Sequence, residues 1–274
     1  MTPGRQPQRR LHPWHWTRRS LPAALSLVTT LVLWEALVRL FQIPSWLLPA
    51  PSGAIQELWR EWPVIAGHAQ ATVIEAAAGM LLGIALAVPI ATAMALRPLL
   101  RQAVYPLFII SQTIPTIALA PLILVWFGYG MLPKVLVVVL VTFFPLVVNL
   151  VEGYRQTDPR MAQLLLTMRA RTWHLLRYLL WPQALPSFFA GLRIAATYSV
   201  TGAVVGEWLG AAQGLGIYLV RAAKSFRTDR LFAAIAVIVL LTLAIFGIVE
   251  LLARLTMRWR TDAALRRHGA TPQP

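Results

Sequence analysis

Lys134 and Lys224 are the only lysines in the chain, and neither closes a GxxxxGK[ST] phosphate loop. The chain therefore lacks the motif that cradles nucleotide phosphates in P-loop proteins. The five histidines, His12, His15, His68, His174 and His268, show no HExxH or HxxxH spacing. His12 and His15 lie in a basic tail beside Trp14 and Trp16, a setting that reads as an interfacial anchor rather than a ligand pair. With no cysteine, neither a disulfide framework nor a thiolate metal site can be built. No nucleophile–base constellation emerges either, and the expectation is a protein that is not an enzyme and binds no metal. The remaining polar chemistry sits inside apolar runs. Ser111-Gln112-Thr113-Ile114-Pro115-Thr116 puts four polar side chains and a helix breaker in the middle of one such run. Glu35, Arg39, Glu75, Arg193, Glu207 and Glu250 lie in or at the ends of others. Groups of this kind are costly in lipid and usually face a protein interior or an aqueous cavity, where they hold or conduct a solute.

Each has an ordinary structural alternative. Glu35 and Arg39 are four apart on a helical run and can neutralise each other. Arg193 and Glu250 fall near cytoplasmic ends and can snorkel to the headgroups. Glu75 and Glu207 fall near outer ends, where they line an entrance or simply meet water. Pro115 removes an intrahelical hydrogen bond. The interruption is tolerated either as a kink satisfied by neighbouring hydroxyls or as the wall of a water-filled path. The pathway reading is favoured, and Ser111, Gln112, Thr113, Pro115, Asn149, Tyr198 and Glu207 are its expected members. Gly79–Gly83 and Gly202–Gly206 are both GxxxG, the spacing that lets membrane helices approach closely.

The elements that position these groups follow from composition and hydropathy. Hydrophobic residues make up 58% of the 274 positions and charged residues 13%, half the fraction of an ordinary soluble domain, which points to a polytopic membrane protein. The net charge of +15 would suit nucleic acid in a soluble protein. Here the arginines cluster between apolar segments, as orientation signals do, so membrane lipid is the expected partner and nucleic acid is not. A crossing helix needs about 20 mainly apolar residues. Six segments qualify: about Leu21–Phe41, Thr72–Leu96, Ala103–Phe127 (interrupted by Pro106, Pro115 and Pro121), Pro133–Val151, Phe188–Leu209 and Leu231–Leu255. The fold class expected is all-α, with six transmembrane helices and a cytoplasmic loop. The first apolar run is too long for a secretory h-region and lacks a small-residue cleavage site, so it reads as an uncleaved helix. Between the first two spans, Ala54–Trp62 reads as a short amphipathic helix on the outer surface, capped by Ser52 and bordered by interfacial tryptophans. Arginines before the first span, between the second and third, after the fourth and after the sixth place those regions in the cytoplasm. Both termini are then cytoplasmic: a basic tail at 1–20, a transmembrane domain at 21–255 with its core at about 68–255, and a basic tail at 256–274. Arg221, Lys224, Arg227 and Arg230 break the pattern by falling outside.

The long cytoplasmic loop, 152–186, carries the functional assignment. Asp158-Pro159 offers an N-cap and a proline at the first helical position. A helix to about Met168 would be followed by a second over Trp173–Trp181, capped by Thr172 and stopped by Pro182. Trp173, Leu176, Leu179 and Leu180 would share a face of the second helix. So much leucine and tryptophan needs covering, either by the bundle or by a partner.

This loop, ending in Trp181-Pro182-Gln183-Ala184-Leu185-Pro186, resembles the coupling loop of binding-protein-dependent ABC importer permeases. The likeness extends to Leu48-Pro49-Ala50-Pro51-Ser52, Trp126-Phe127-Gly128-Tyr129-Gly130, Phe143-Phe144-Pro145 through Asn149, and Glu207-Trp208-Leu209-Gly210 through Gly216. Together these resemble the nitrate/sulfonate/taurine branch, and within it the permeases for thiamine pyrimidine precursors. The resemblance implies that Gln163, Leu164, Leu165, Met168, Arg169, Ala170, Arg171, Thr172 and Trp173 contact a cytoplasmic ABC ATPase present in two copies. It also implies that ATP and Mg belong to that partner, that an external substrate-binding protein delivers the solute, that the permease is a homodimer, and that it resides in the bacterial inner membrane. Where the family has Glu-Ala-Ala this chain has Gln163-Leu164-Leu165, and Arg169 replaces the family glycine. That loss removes easy access to positive φ at the knuckle. A lone ion-coupled transporter would instead show inverted repeats or midplane ionisable groups, and neither is evident.

Overall fold

The computed structural model describes residues 14–257; of the expected tails, 1–13 and 258–274 lie outside them, while 14–20 are already helical, so the first helix starts earlier than the expected boundary. Eleven α-helices are formed among these residues: α1 Trp14–Leu40, α2 Pro51–Arg60, α3 Trp62–Leu96, α4 Pro98–Ser111, α5 Thr116–Phe127, α6 Met131–Arg155, α7 Pro159–Thr167, α8 Thr172–Leu175, α9 Trp181–Glu207, α10 Leu215–Lys224 and α11 Thr228–Thr256. The all-α expectation holds for them. Four continuous helical runs are long and apolar enough to cross a membrane, namely α3, α6, α8–α9 and α11, and the bent pair α4–α5 makes a fifth candidate. The first expected span falls on the 27-residue α1.

α6 occupies the centre, packed against α3 on one side and α9 on the other. The two GxxxG motifs explain this. A Cβ on Gly79 of α3 would collide with the Val138 side chain of α6, and a Cβ on Gly202 of α9 would stand 3.3 Å from the Val138 Cα. Both motifs thus bring a backbone onto the same helix, where close van der Waals contact substitutes for the hydrophobic force that lipid cannot supply. The main core joins α3, α6, α9 and α11 through Met94, Leu146, Leu150, Tyr154, Phe189 and Ala253. A second, smaller core at the other end joins α3, α10 and α11 through Ile65, Leu215, Tyr218 and Val237.

Several boundaries differ from expectation for identifiable reasons. α3 begins at Trp62 rather than Thr72, and its 35 residues extend roughly 50 Å, well beyond the hydrocarbon thickness. The expected third span is two helices meeting at 100°. The break lies over Gln112–Pro115, while Pro106 and Pro121 are absorbed inside helices. Pro115 biases Ile114 out of the helical region and cannot donate, so the chain turns there. Pro182 does not stop the helix before it. α8 runs through a π turn, Leu176–Leu180, directly into α9, and the altered hydrogen-bond register of that turn accommodates Pro182 without ending the run. Nor does Trp173 share the buried face with Leu179: it is exposed, and Leu179 is buried.

Candidate functional site

The α4–α5 break forms one wall of a cleft of 270 Å³, closed by α6 and α9. Ser111, Gln112 and Thr116 contribute from the break, Phe144 from α6 and Tyr198 from α9; the remaining lining is aliphatic or proline. Local hydrogen bonds keep the break in shape. The Ser111 hydroxyl donates to the Phe108 carbonyl at 2.8 Å, and the Thr113 hydroxyl to the Ile110 carbonyl at 2.7 Å. The carbonyls at the end of α4 are thereby satisfied within the segment. Gln112 is exposed, and its amide makes only a long 3.5 Å contact to Phe108. Phe144 is fixed by ring contacts with Phe108 at 5.9 Å and Phe143 at 5.1 Å.

At one end of the bundle, two short helices are held by carboxylates from long ones. Neither α2 nor α10 has a side-chain cap of its own, since their N-caps are Ala50 and Gly214. Glu35 of α1 accepts from the Ser52 N–H at 3.0 Å and the Ser52 hydroxyl at 2.7 Å, and pairs with Arg39 at 2.6 Å. Ser52 therefore does not cap α2; it is the point at which α1 grips it. Glu207 of α9 is fully buried. It accepts from the Gly216 N–H at 2.5 Å and from the Thr72 hydroxyl at 2.6 Å, and Thr72 in turn accepts from the Leu215 N–H at 2.9 Å. The first N–H groups of a helix need acceptors and favour negative charge, so both carboxylates supply what the short helices lack. Gly214, at φ 132, faces the Glu207 carboxylate with no room for a side chain. Beside Glu207, the nearly buried Glu75 pairs with Lys134.

Two of the four basic outliers in the orientation pattern, Arg227 and Arg230, are paired at the same end. Arg227 pairs with Glu57 at 2.9 Å and Asp229 at 3.3 Å, and Arg230 with Glu57 at 3.2 Å and Glu61 at 2.6 Å. These carboxylates also raise the Arg227 pKa, Asp229 first among them. Tyr218 donates to Glu61 at 3.2 Å, and burial together with that carboxylate pushes its phenol up.

The knuckle at the opposite end is built differently. Asp158 caps α7, accepting from the Arg160 N–H at 2.8 Å. At the turn after α7, Arg169 adopts φ 58, the left-handed conformation that a glycine would reach freely. The Arg171 N–H then donates to His174 Nδ1 at 3.3 Å. Leu164, Met168 and Trp173 are 55%, 71% and 66% exposed. The bundle does not cover this surface.

Residues 79–258 match the family described as binding-protein-dependent transport system inner membrane component. The chain belongs to this family of ABC transporter permeases. Among individual relatives, the formylaminopyrimidine transport permease protein ThiX of Halalkalibacterium halodurans is 38% identical over 246 residues, covering 88% of this chain and 97% of that one. The riboflavin transport system permease protein RibX of Chloroflexus aurantiacus is 36% identical over 256 residues, covering 93% and 95%. The taurine transport system permease protein TauC of Escherichia coli is 29% identical over 260 residues, covering 89% and 92%. The MetNI methionine ABC transporter, solved in inward-facing conformations, shares the fold at a TM-score of 0.59 over 72% of this chain and 97% of that one, with 18% identity. The permease is thus a multi-pass inner-membrane transport subunit of an ABC importer and not an enzyme, and in such transporters the ATP belongs to a partner ATPase.

Of the pathway residues expected for this permease, the cleft gathers Ser111, Gln112 and Tyr198. Thr113 and Pro115 shape the break without lining the cleft. Asn149 donates to the Pro145 carbonyl at 2.8 Å and packs against Gly191 of α9. Glu207 meets neither water nor the cleft; it is committed to α10. Arg193 and Glu250 do not simply snorkel but pair with each other at 2.9 Å across α9 and α11, and Arg254 joins them at 2.9 Å. Phe144 lies in the Phe143-Phe144-Pro145 motif, to which sequence alone attaches no role, and Thr72 carries no signal, because a lone threonine in an apolar helix looks like any other.

Proposed function

We propose that two copies of this permease form the pathway of an importer for a small thiamine pyrimidine precursor such as hydroxymethylpyrimidine, driven by two copies of a cytoplasmic ABC ATPase docked on loop 152–186. ATP and Mg are held by that ATPase. Six crossings place both termini in the cytoplasm and the α2–α10 end outside, where a substrate-binding protein delivers the solute. The ATPase-contacting residues are Gln163, Leu164, Leu165, Met168, Arg169, Ala170, Arg171, Thr172 and Trp173. The observation that carries the docking is the uncovered apolar surface of Leu164, Met168 and Trp173 beside exposed Arg169 and Arg171. Apolar anchors ringed by arginines are the composition of an interface core, not of a solvated loop. The pyrimidine assignment is supported by similarity to the formylaminopyrimidine permease. Aliphatic sulfonate, nitrate, taurine and riboflavin are the competing cargoes.

Co-expression with a tagged ATPase and a receptor tests this reading. Leu164→Asp with Trp173→Ala is expected to lower co-purification of the ATPase at least tenfold while the permease accumulates normally. Uptake of labelled hydroxymethylpyrimidine into membrane vesicles is expected to require ATP. Uptake that survives ATP depletion and collapses with the proton gradient overturns the proposal.

A further inference from the structure

We propose that the cleft between the α4–α5 break, α6 and α9 is a binding site for planar, uncharged nitrogen heterocycles, in which the Gln112 amide pairs with a donor–acceptor edge while Tyr198 and Phe144 cover the ring. It rests on the reading that this chain lines a translocation path, and it supplies a reason for cargo choice that sequence similarity does not.

No Asp, Glu, Lys, Arg or His lines the cleft. A sulfonate or nitrate entering it would shed hydration without meeting a compensating cation, and an unpaired ion away from water is strongly disfavoured. The start of α5 at Thr116 offers backbone N–H groups and the positive end of a helix dipole. Those N–H groups can meet a ring nitrogen or carbonyl, but a helix start carries only a partial charge and does not supply the full countercharge that a desolvated anion needs.

An amide presents one donor and one acceptor side by side and pairs bidentately with the amino-group and ring-nitrogen edge of an adenine. An aminopyrimidine has the same edge. The Gln112 amide is exposed and nearly uncommitted, with its oxygen unpaired among the described residues. Phe144 is locked by two neighbouring rings, whereas Tyr198, also on the lining, is 52% exposed. A flat solute between them gains aromatic contact on its faces. At 270 Å³ the cleft is just below the roughly 300–1,000 Å³ of drug-sized sites, which suits one ring better than three fused rings.

The permease–ATPase complex in lipid nanodiscs, with hydroxymethylpyrimidine and ethanesulfonate as radiolabelled probes at pH 8, tests the assignment. Saturable binding of the heterocycle is expected, with ethanesulfonate at least tenfold weaker. Gln112→Leu and Tyr198→Leu should each weaken heterocycle binding at least tenfold in complexes that purify intact and melt normally. Gln112→Arg should reverse the preference by supplying the missing cation, so that a gain of sulfonate binding distinguishes selectivity from damage. Wild-type complex that binds ethanesulfonate as well as the heterocycle, or fails to bind the heterocycle, overturns the assignment. So does unchanged heterocycle affinity in both leucine variants. Those outcomes leave ATPase docking and ATP-driven uptake untouched, whereas failure of ATP-driven uptake strikes the importer reading itself.

Discussion

The two ends of this bundle use charge and apolar surface in opposite ways. At the α2–α10 end, Glu35, Glu57, Glu61, Glu207 and Asp229 each meet an arginine, a hydroxyl or a helix N-terminus within the same chain. At the knuckle, Arg169, Arg171, Met168 and Trp173 are exposed around one strained residue. The first end answers its carboxylates within the chain, and the second leaves apolar side chains and arginines uncovered by the bundle. The contrast predicts that substitutions at the first end cost stability, while those at the second cost assembly.

The largest expected loss is at Glu207. Replacing it with alanine strips acceptors from the Gly216 N–H and the Thr72 hydroxyl and leaves a hole beside α10. Unsatisfied buried donors and a broken buried network together cost on the order of 3–5 kcal/mol. Thermal unfolding in detergent should show a clear drop, and accumulation in the membrane should fall. A variant as stable as the parent would mean that the α10 clamp is not holding the fold. At the knuckle, Trp173→Ala should do the reverse. An exposed side chain changes stability by no more than about 0.5 kcal/mol, yet truncating an interface anchor weakens binding by about 2 kcal/mol or more, roughly 30-fold. ATPase affinity measured by surface immobilisation of the intact permease separates the two effects.

What was legible beforehand divides along the same line. Long apolar runs announced α3, α6, α9 and α11, because lipid demands uninterrupted hydropathy. The knuckle was legible through Asp158-Pro159 and through leucines that no solvated loop needs. The α2–α10 end is not legible locally because its logic is tertiary: Ser52 reads as a local cap and Glu207 as an acid that lines an entrance or meets water, yet each is answered by a residue far along the chain. The α4–α5 bend was visible as a proline but not as a right-angle turn, since kinks and breaks share one local signature. Pro182 misled for the opposite reason, as a π turn made room for it.

A smaller test addresses the ion pairs. Glu57 bridges Arg227 and Arg230 while nearly buried itself, with the arginines partly exposed. A double-mutant cycle of Glu57→Gln with Arg230→Gln should give a coupling of about 1 kcal/mol, between the values for exposed and buried pairs. A coupling near zero would turn these paired arginines into independent surface charges and weaken the contrast between the two ends.

The smallest effect has the most informative sign. Arg169 holds φ 58, a conformation costing an L-residue about 1–2 kcal/mol, and glycine would escape that cost while losing about 0.5–1 kcal/mol to chain entropy. Arg169→Gly should therefore stabilise the permease by about 0.5 kcal/mol, read as a slight rise in Tm. Its effect on the ATPase need not follow. The strained arginine projects a cation from the tip of the knuckle, and a glycine keeps the turn while removing that charge. If ATPase affinity falls as stability rises, strain is being tolerated for the sake of the contact. If both rise together, Arg169 contributes nothing to docking, and the exposed apolar residues beside it are the whole of the interface signal.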